Sequence, residues 1–304
     1  MQYKVSIKRK CYLLSVLLMT VWLTGCVQEE FESTPSPAGN GIRFTLTVPD
    51  VNLPSVSSRT MTGTGTAKKE DEIETVDILV FDMSKTPAVF LEWVSATGVT
   101  QDLADNSTVS FSAVLSPTTA STCIVVVANK ELDNIVSGFT KGATTKVEAM
   151  EKMLHTQTGK WLADGSTTGG YTRIPMYGEK VISKITPSMD PITGINMKRM
   201  LARIDIRNNS ATSNFTVEEV YLANYNTTGY IAPAWNTNGQ VTDPVPDTPV
   251  LPVNSGKMTE EGDAILYSVK GNTPYDGEIY TFESLAAEDA GGVGQDGEAS
   301  RKDA

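Results

Sequence analysis

Gly41-Ile42-Arg43-Phe44-Thr45-Leu46-Thr47-Val48 is the stretch from which the fold is read. Ile42, Phe44, Leu46 and Val48 alternate with Arg43, Thr45 and Thr47. Apolar residues on every second position describe a strand that buries one face. The same grammar continues downstream. Thr75-Val76-Asp77-Ile78-Leu79-Val80-Phe81 is a strongly apolar strand, and residues 89–94 and 109–115 follow, the latter with clean alternation. Thr122-Cys123-Ile124-Val125-Val126-Val127 lacks polar alternation and reads as a strand buried on both faces. Helices are expected at residues 130–136 and 145–157, the second with Val147, Met150, Met153 and Leu154 on one face. Strands resume at residues 176–182, 196–206, 215–222, 264–269 and 278–282. Many short strands, turn-rich connections and few helices indicate a mainly β protein built of β-sandwiches.

The chain has 304 residues, which points to two domains. The expected division is 60–193 and 194–304, with the break near Thr193-Gly194. The second domain holds few strands and is expected to be incomplete. Residues 284–304 are polar, Gly-rich and charged, and are expected to be disordered.

Upstream of the first strand the sequence carries an export signal. Lys4, Lys8, Arg9 and Lys10 precede an uncharged apolar stretch over residues 11–23. That stretch is short of the ~20 residues that a permanent membrane helix needs. It reads as a secretory leader, residues 1–25. Leu23-Thr24-Gly25-Cys26 then has the form of a lipobox, with small residues before a cysteine whose thiol accepts the lipid. Cys26 is therefore the expected lipidation site, with palmitate among the attached chains. Gln28, Glu29, Glu30 and Glu32 form an acidic patch behind it, similar to the surface-export signal of Bacteroidia lipoproteins. Residues 33–40, rich in Ser, Pro and Gly, suit a flexible tether.

Composition and chemistry exclude several functions. The net charge is −11, and removing the four leader charges leaves −15 for the chain from Cys26 onward. Nucleic acid is not an expected partner, since phosphate contacts need basic patches. Cys11 leaves with the leader and Cys26 is lipidated, so Cys123 has no disulfide partner and is expected as a small core residue. A single histidine, His155, rules out a multi-histidine metal site. It is expected on the exposed end of the second helix. Cys123 has no credible base beside it, and no nucleophile elbow is present. Gly292-Val293-Gly294-Gln295-Asp296-Gly297 has dinucleotide-loop spacing but stands in an acidic tail without a strand before it or a helix after it. No enzyme activity, cofactor or metal is expected.

The order of motifs carries a resemblance. After the lipobox come the alternating strand 40–48, a loop with Ser57-Ser58-Arg59-Thr60, and a Lys/Glu-rich approach to the Val-x-Ile-Leu-Val-Phe-Asp strand. Then come Val126-Val127-Ala128-Asn129 and Ile174-Pro175-Met176-Tyr177-Gly178-Glu179. Lys198-Arg199-Met200-Leu201-Ala202-Arg203-Ile204-Asp205-Ile206 and Tyr280-Thr281-Phe282-Glu283 close the series. This series resembles the fimbrillins of Bacteroidia, the type V pilins. The resemblance implies two transthyretin-like sandwiches with a few short helices. It also implies a precursor lipid-anchored in the outer membrane, and a cut between Arg59 and Thr60 by an Arg-specific or trypsin-like surface protease. Residues 26–59 would then be tether plus removable strand, with Ile42, Phe44, Leu46 and Val48 as its buried face. The partners implied are other fimbrial subunits, joined by donor-strand exchange, and a host protein or glycan as adhesion target. Two other readings fit the same composition. One is a surface glycan-binding lipoprotein that uses Trp93, Trp161, Trp235, Tyr225 and Tyr230. The other is an anchor or accessory fimbrial subunit that is never cut.

Overall fold

The computed structural model describes residues 42–48, 69–101, 108–157, 159–161, 172–204, 219–223, 225–242, 250–253, 264–268 and 279–284. The chain divides into a unit of residues 1–39, outside the described residues, and a unit of residues 40–304, to which everything below belongs.

Two sheets carry the main core. The first contains β1 (Ile42–Thr47), β4 (Thr97–Gln101), β5 (Thr108–Ala113) and β9 (Ile192–Asn196), in the order β4-β5-β1-β9. The second contains β2 (Val76–Asp82), β3 (Val89–Ser95), β6 (Thr122–Ala128), β8 (Met176–Ile182) and β10 (Lys198–Arg199), in the order β10-β8-β6-β2-β3. The chain changes sheet at both sides. Ala96 separates β3 from β4, and its N–H donates to Val76 O at 2.9 Å. Met197 separates β9 from β10, and its N–H donates to Thr47 O at 2.9 Å.

β2 and β6 carry apolar residues on both faces, with Asp77, Asp82 and Thr122 as the exceptions. Val76, Ile78 and Val80 with Ile124, Val126 and Ala128 face the first sheet and join the β1 side chains in one core. Leu79 and Phe81 with Cys123, Val125 and Val127 face the other way, into a second core. Helix α2 (Lys146–Lys152) contributes Ala149 and Met150 to that second core, and Trp161, Ile231, Tyr280 and Phe282 complete it. A central sheet covered on both faces needs no polar alternation.

Smaller ribbons follow. β7 (Leu154–Thr156) pairs with β13 (Thr228–Tyr230), β11 (Leu201–Ile204) with β15 (Ile279–Phe282), and β12 (Glu219–Leu222) with β14 (Ile265–Ser268). Val220, Leu222 and Ile265 from the last ribbon pack with Tyr225 and Ile279.

The mainly β sandwich-type architecture agrees with the sequence reading, but several elements differ. The helix expected over 145–157 stops at Lys152, and the helix expected over 130–136 narrows to α1, Asp133–Val136. The first of these starts where its capping box says. Glu148 N donates to Thr145 Oγ1 at 3.2 Å, and Thr145 N donates to Glu148 Oε2 at 2.8 Å. It ends because Met153 O accepts Ile231 N–H at 3.0 Å, and β-pairing with β13 takes over. The buried face is accordingly Lys146, Ala149 and Met150, continued by Met153, rather than one with Val147 and Leu154. The strand expected over 196–206 breaks at Met200, since β10 pairs with β8 and β11 with β15. Thr193 and Gly194, where a domain break is expected, lie inside β9.

Candidate functional site: the seat of the first strand

Strand β1 is an interior strand. It runs antiparallel to β5, with Ile42 opposite Ala113, Phe44 opposite Phe111 and Leu46 opposite Val109. On its other side it runs parallel to β9, with Phe44 beside Ile192 and Leu46 beside Ile195. The inward residues Ile42, Phe44, Leu46 and Val48 are 3 %, 1 %, 0 % and 1 % exposed. Arg43 and Thr45 are half-buried and Thr47 is exposed, so the alternation read from sequence is the alternation of faces. Phe44 and Phe111 stack with ring centroids 5.0 Å apart and planes 6° from parallel. Opposite them stand Val76, Ile78, Val80, Ile124 and Val126 of the second sheet.

Strand β9 shapes one wall by departing from regular pairing. Gly194 has φ 70°, a conformation that costs other residues a steric clash, and the register with β1 shifts between Phe44 and Leu46. The irregularity puts Ile192 and Ile195, three residues apart, on the same buried face. Gly178 of β8 serves the same closure. A Cβ there would lie 2.7 Å from Met197 Sδ and 2.8 Å from Ile195 Cγ2, so a larger residue would have to displace these side chains where the two sheets meet.

The approach to β2, residues 69–75, is polar except for Ile73, which is buried in the same core as the inward face of β1. Asn129, at φ 58°, is its hub. Its Nδ2 donates to Glu72 O at 2.8 Å and Ile174 O at 3.0 Å, while its Oδ1 accepts from Glu74 N at 3.0 Å. Asparagine is among the few residues that tolerate a positive φ, so both its backbone and its side chain are used here. In the sequence Asn129 stood only as the last residue of the motif Val126-Val127-Ala128-Asn129. A second polar cluster was not visible in sequence at all. Lys146, 1 % exposed, pairs through Nζ with Glu179 Oε2 at 2.6 Å. Tyr177 Oη donates to the same oxygen at 2.6 Å, and Val241 N donates to Glu179 Oε1 at 3.2 Å.

Cys26, Arg59 and Thr60 lie outside the described residues, as does the Gly292–Gly297 stretch. Cys123 is free and buried, and burial pushes its thiol up to about 11. It is a neutral packing group at physiological pH. His155 departs from expectation. It lies on β7 rather than on an exposed helix end, with its ring 4.9 Å from that of Trp161 and 6.4 Å from that of Phe282. Both ring nitrogens are buried without a hydrogen-bond partner. Burial first, and Lys130 second, lower its pKa to about 4. Among the aromatics considered for a glycan platform, Trp161 and Tyr225 are core residues, 2 % and 6 % exposed. Tyr230 and Trp235 pack edge to face, 4.9 Å apart. No group of acidic, His or Cys residues able to hold a metal occurs among the described residues, and no described helix is long and apolar enough to cross a membrane.

Among curated proteins none matches the sequence. A solved cell adhesion protein of Parabacteroides distasonis aligns with the chain at 19 % identity and TM-score 0.45, covering 83 % of this chain and 73 % of that one. A fimbrial assembly protein of the same organism aligns at 11 % identity and TM-score 0.37, covering 78 % and 88 %. A polysaccharide binding protein of Bacteroides thetaiotaomicron aligns at 12 % identity and TM-score 0.32, covering 62 % and 60 %. The family model of the major fimbrial subunit protein (FimA) matches residues 42–198, just over half of the chain. Its limits run from the first residue of β1 to the first of β10, which is the span of the two main sheets. That family is one of structural subunits rather than enzymes, and its place is the fimbria at the cell surface. With the two sheets and the seat of β1 matched from end to end, the chain belongs to the major fimbrial subunit (FimA) family and is a structural subunit of a pilus.

Proposed function

We propose that this subunit reaches the surface as a lipoprotein held in the outer membrane through Cys26. A trypsin-like protease then cuts it after Arg59, and it polymerises by exchanging β1 for a strand of a neighbouring subunit. The observation that carries the reading is the setting of β1. It lies N-terminal to Arg59 and buries Ile42, Phe44, Leu46 and Val48 almost completely, yet the described contacts of those four side chains are apolar or backbone ones. Each such side chain contributes about 1.5–3 kcal/mol when fully buried. Loss of β1 would leave a slot between β5 and β9, about two strand spacings or ~9.5 Å wide, with unpaired backbone on both walls. Such a slot is costly to leave open and is well suited to an added strand.

The slot also tolerates either strand direction. Because β1 is antiparallel to β5 and parallel to β9, an incoming strand of either polarity meets one antiparallel and one parallel neighbour. What the slot demands is an apolar residue at every second position over about six residues.

Arg59→Ala is the decisive variant. Its precursor should keep β1 and remain monomeric, while the unaltered protein, once cut near Arg59, should form fibres. Efficient fibres from Arg59→Ala with residues 42–48 still attached would refute the exchange. The lipid anchor is tested separately by palmitate labelling, which Cys26→Ala should abolish.

A further inference from the structure

Of the acidic side chains described, Glu70 is the most deeply buried, at 3 % exposure. It sits in a 3-10 turn, Lys69–Asp71, on the approach to β2. Arg203 Nη1 donates to Glu70 Oε1 at 2.6 Å, and the Tyr280 hydroxyl donates to the same oxygen. Arg203 and Tyr280 face each other across the β11–β15 ribbon, so one ribbon presents both donors. Arg199 Nε donates to the backbone carbonyl of Glu70 at 3.3 Å, and its guanidinium pairs with Asp71. From β4, the Gln101 amide grips the backbone in two places. Its Nε2 donates to Asp71 O at 2.7 Å, and its Oε1 accepts from Ile73 N at 3.1 Å.

These contacts bind one short segment to four strands, β4, β10, β11 and β15. Lys69 is the last basic residue before β2, and the next along the chain is Lys85. A trypsin-like protease that can cut N-terminal to this segment therefore meets one last cleavable bond at Lys69–Glu70. We propose that the Glu70 clamp closes that bond to the protease and so sets where the removable part of the chain ends. The inference rests on the reading that β1 is released by a trypsin-like cut. A protease must draw several residues into an extended conformation, and here the turn would have to open and Glu70 leave its partners. Cutting then follows the population of the opened form. The clamp keeps the segment that joins β2 to the β11–β15 ribbon in place after β1 has gone.

The test uses trypsin on the full precursor, with a synthetic peptide of residues 64–75 as the unfolded reference. Mass spectrometry and N-terminal sequencing follow each bond. The Lys69–Glu70 bond should be cut at least a hundredfold more slowly in the protein than in the peptide. Tyr280→Phe and Arg203→Met leave the sequence around the bond unaltered, and each should speed that cut at least tenfold. Equal rates in protein and peptide would overturn the proposal, as would unchanged protection in a variant that still melts cooperatively. Should Arg203→Met fail to fold, Tyr280→Phe and the protein-to-peptide ratio decide. The Arg59→Ala precursor reports independently. Fibres from it would sink the assembly reading, while protection at Lys69–Glu70 would still be measured.

Discussion

Strand β1 and the segment from Glu70 to Glu74 flank the same stretch of chain, residues 49–68, and are held in opposite ways. The inward face of β1 is held by shape and apolarity, with Phe44 on Phe111 and Leu46 between Val109 and Ile195. Glu70 to Glu74 shares that core through Ile73 alone and is otherwise held by named partners. Arg203 and Tyr280 take Glu70, Arg199 takes Asp71, and Arg173 takes Glu72 at 3.2 Å and Glu74 at 2.7 Å. Hydrophobic burial is non-directional, so another strand with the right period can reproduce it. Charge-assisted hydrogen bonds require particular groups in particular places. The contrast is what the proposed release of β1 and retention of the Glu70 segment would require.

The largest expected effect breaks the β1 side of this comparison. Leu46→Asp places a carboxylate where the exposure is 0 %, and should cost more than about 4 kcal/mol. Thr47→Asp, one residue on and facing solvent, should stay within about 0.5 kcal/mol. Urea unfolding of the precursor distinguishes them, and similar losses for both would deny that β1 is read by faces. Next, Phe44→Ala should cost roughly 3–5 kcal/mol, since it removes a stacked ring from a closed core.

On the charged side, Glu70→Gln keeps the shape but removes the carboxylate charge that Arg203 meets at 2.6 Å. Arg203 is 15 % exposed, so solvent offsets part of the loss, and about 2 kcal/mol is expected. Added salt should erode the stability of the parent more than that of Glu70→Gln, which the same unfolding curves would reveal.

A smaller effect is set by pH. The folded pKa of His155, about 4, lies below the usual 6.5, so the fold favours the neutral ring. Its contribution is complete above about pH 6.5 and is lost as pH falls towards 4. With partial exposure of the ring taken into account, the loss between pH 7 and pH 5 should be on the order of 1 kcal/mol. His155→Phe should flatten that part of the profile, and an unchanged slope would place the titration elsewhere. The smallest expected effect is none. Cys123 is buried and free, so reductant should not move the Tm.

The strands that were legible in sequence are those whose side chains follow the pleat. β1, β2, β5, β6 and β8 bury alternating or continuous apolar residues, and their positions were read within a residue or two. β9 was missed because Gly194 and the shifted register bring Ile192 and Ile195, three apart, to one face. β7 was taken for helix because 145–157 carries a helical spacing, and only its partner β13, some seventy residues on, draws Leu154–Thr156 into a strand. Distance in sequence also hid half of the environment of His155, since Phe282 comes from the far end of the described chain to join the nearby Trp161.

By itself the sequence determined the β class, the buried face of β1, the apolar nature of Cys123 and the run of motifs shared with fimbrial subunits. Those properties depend on residue type and local period, which a chain carries whether folded or not. The tertiary structure alone decided that β1 lies between an antiparallel and a parallel neighbour. It alone decided that Lys146 is buried against Glu179, and that the carboxylates of the Lys/Glu-rich approach to β2 are gripped by arginines. Glu70 and Arg203 are 133 residues apart, and their pairing exists only once the β11–β15 ribbon is in place. Local pattern tells which face a side chain takes, whereas the partner it meets there depends on which distant strands the fold brings together.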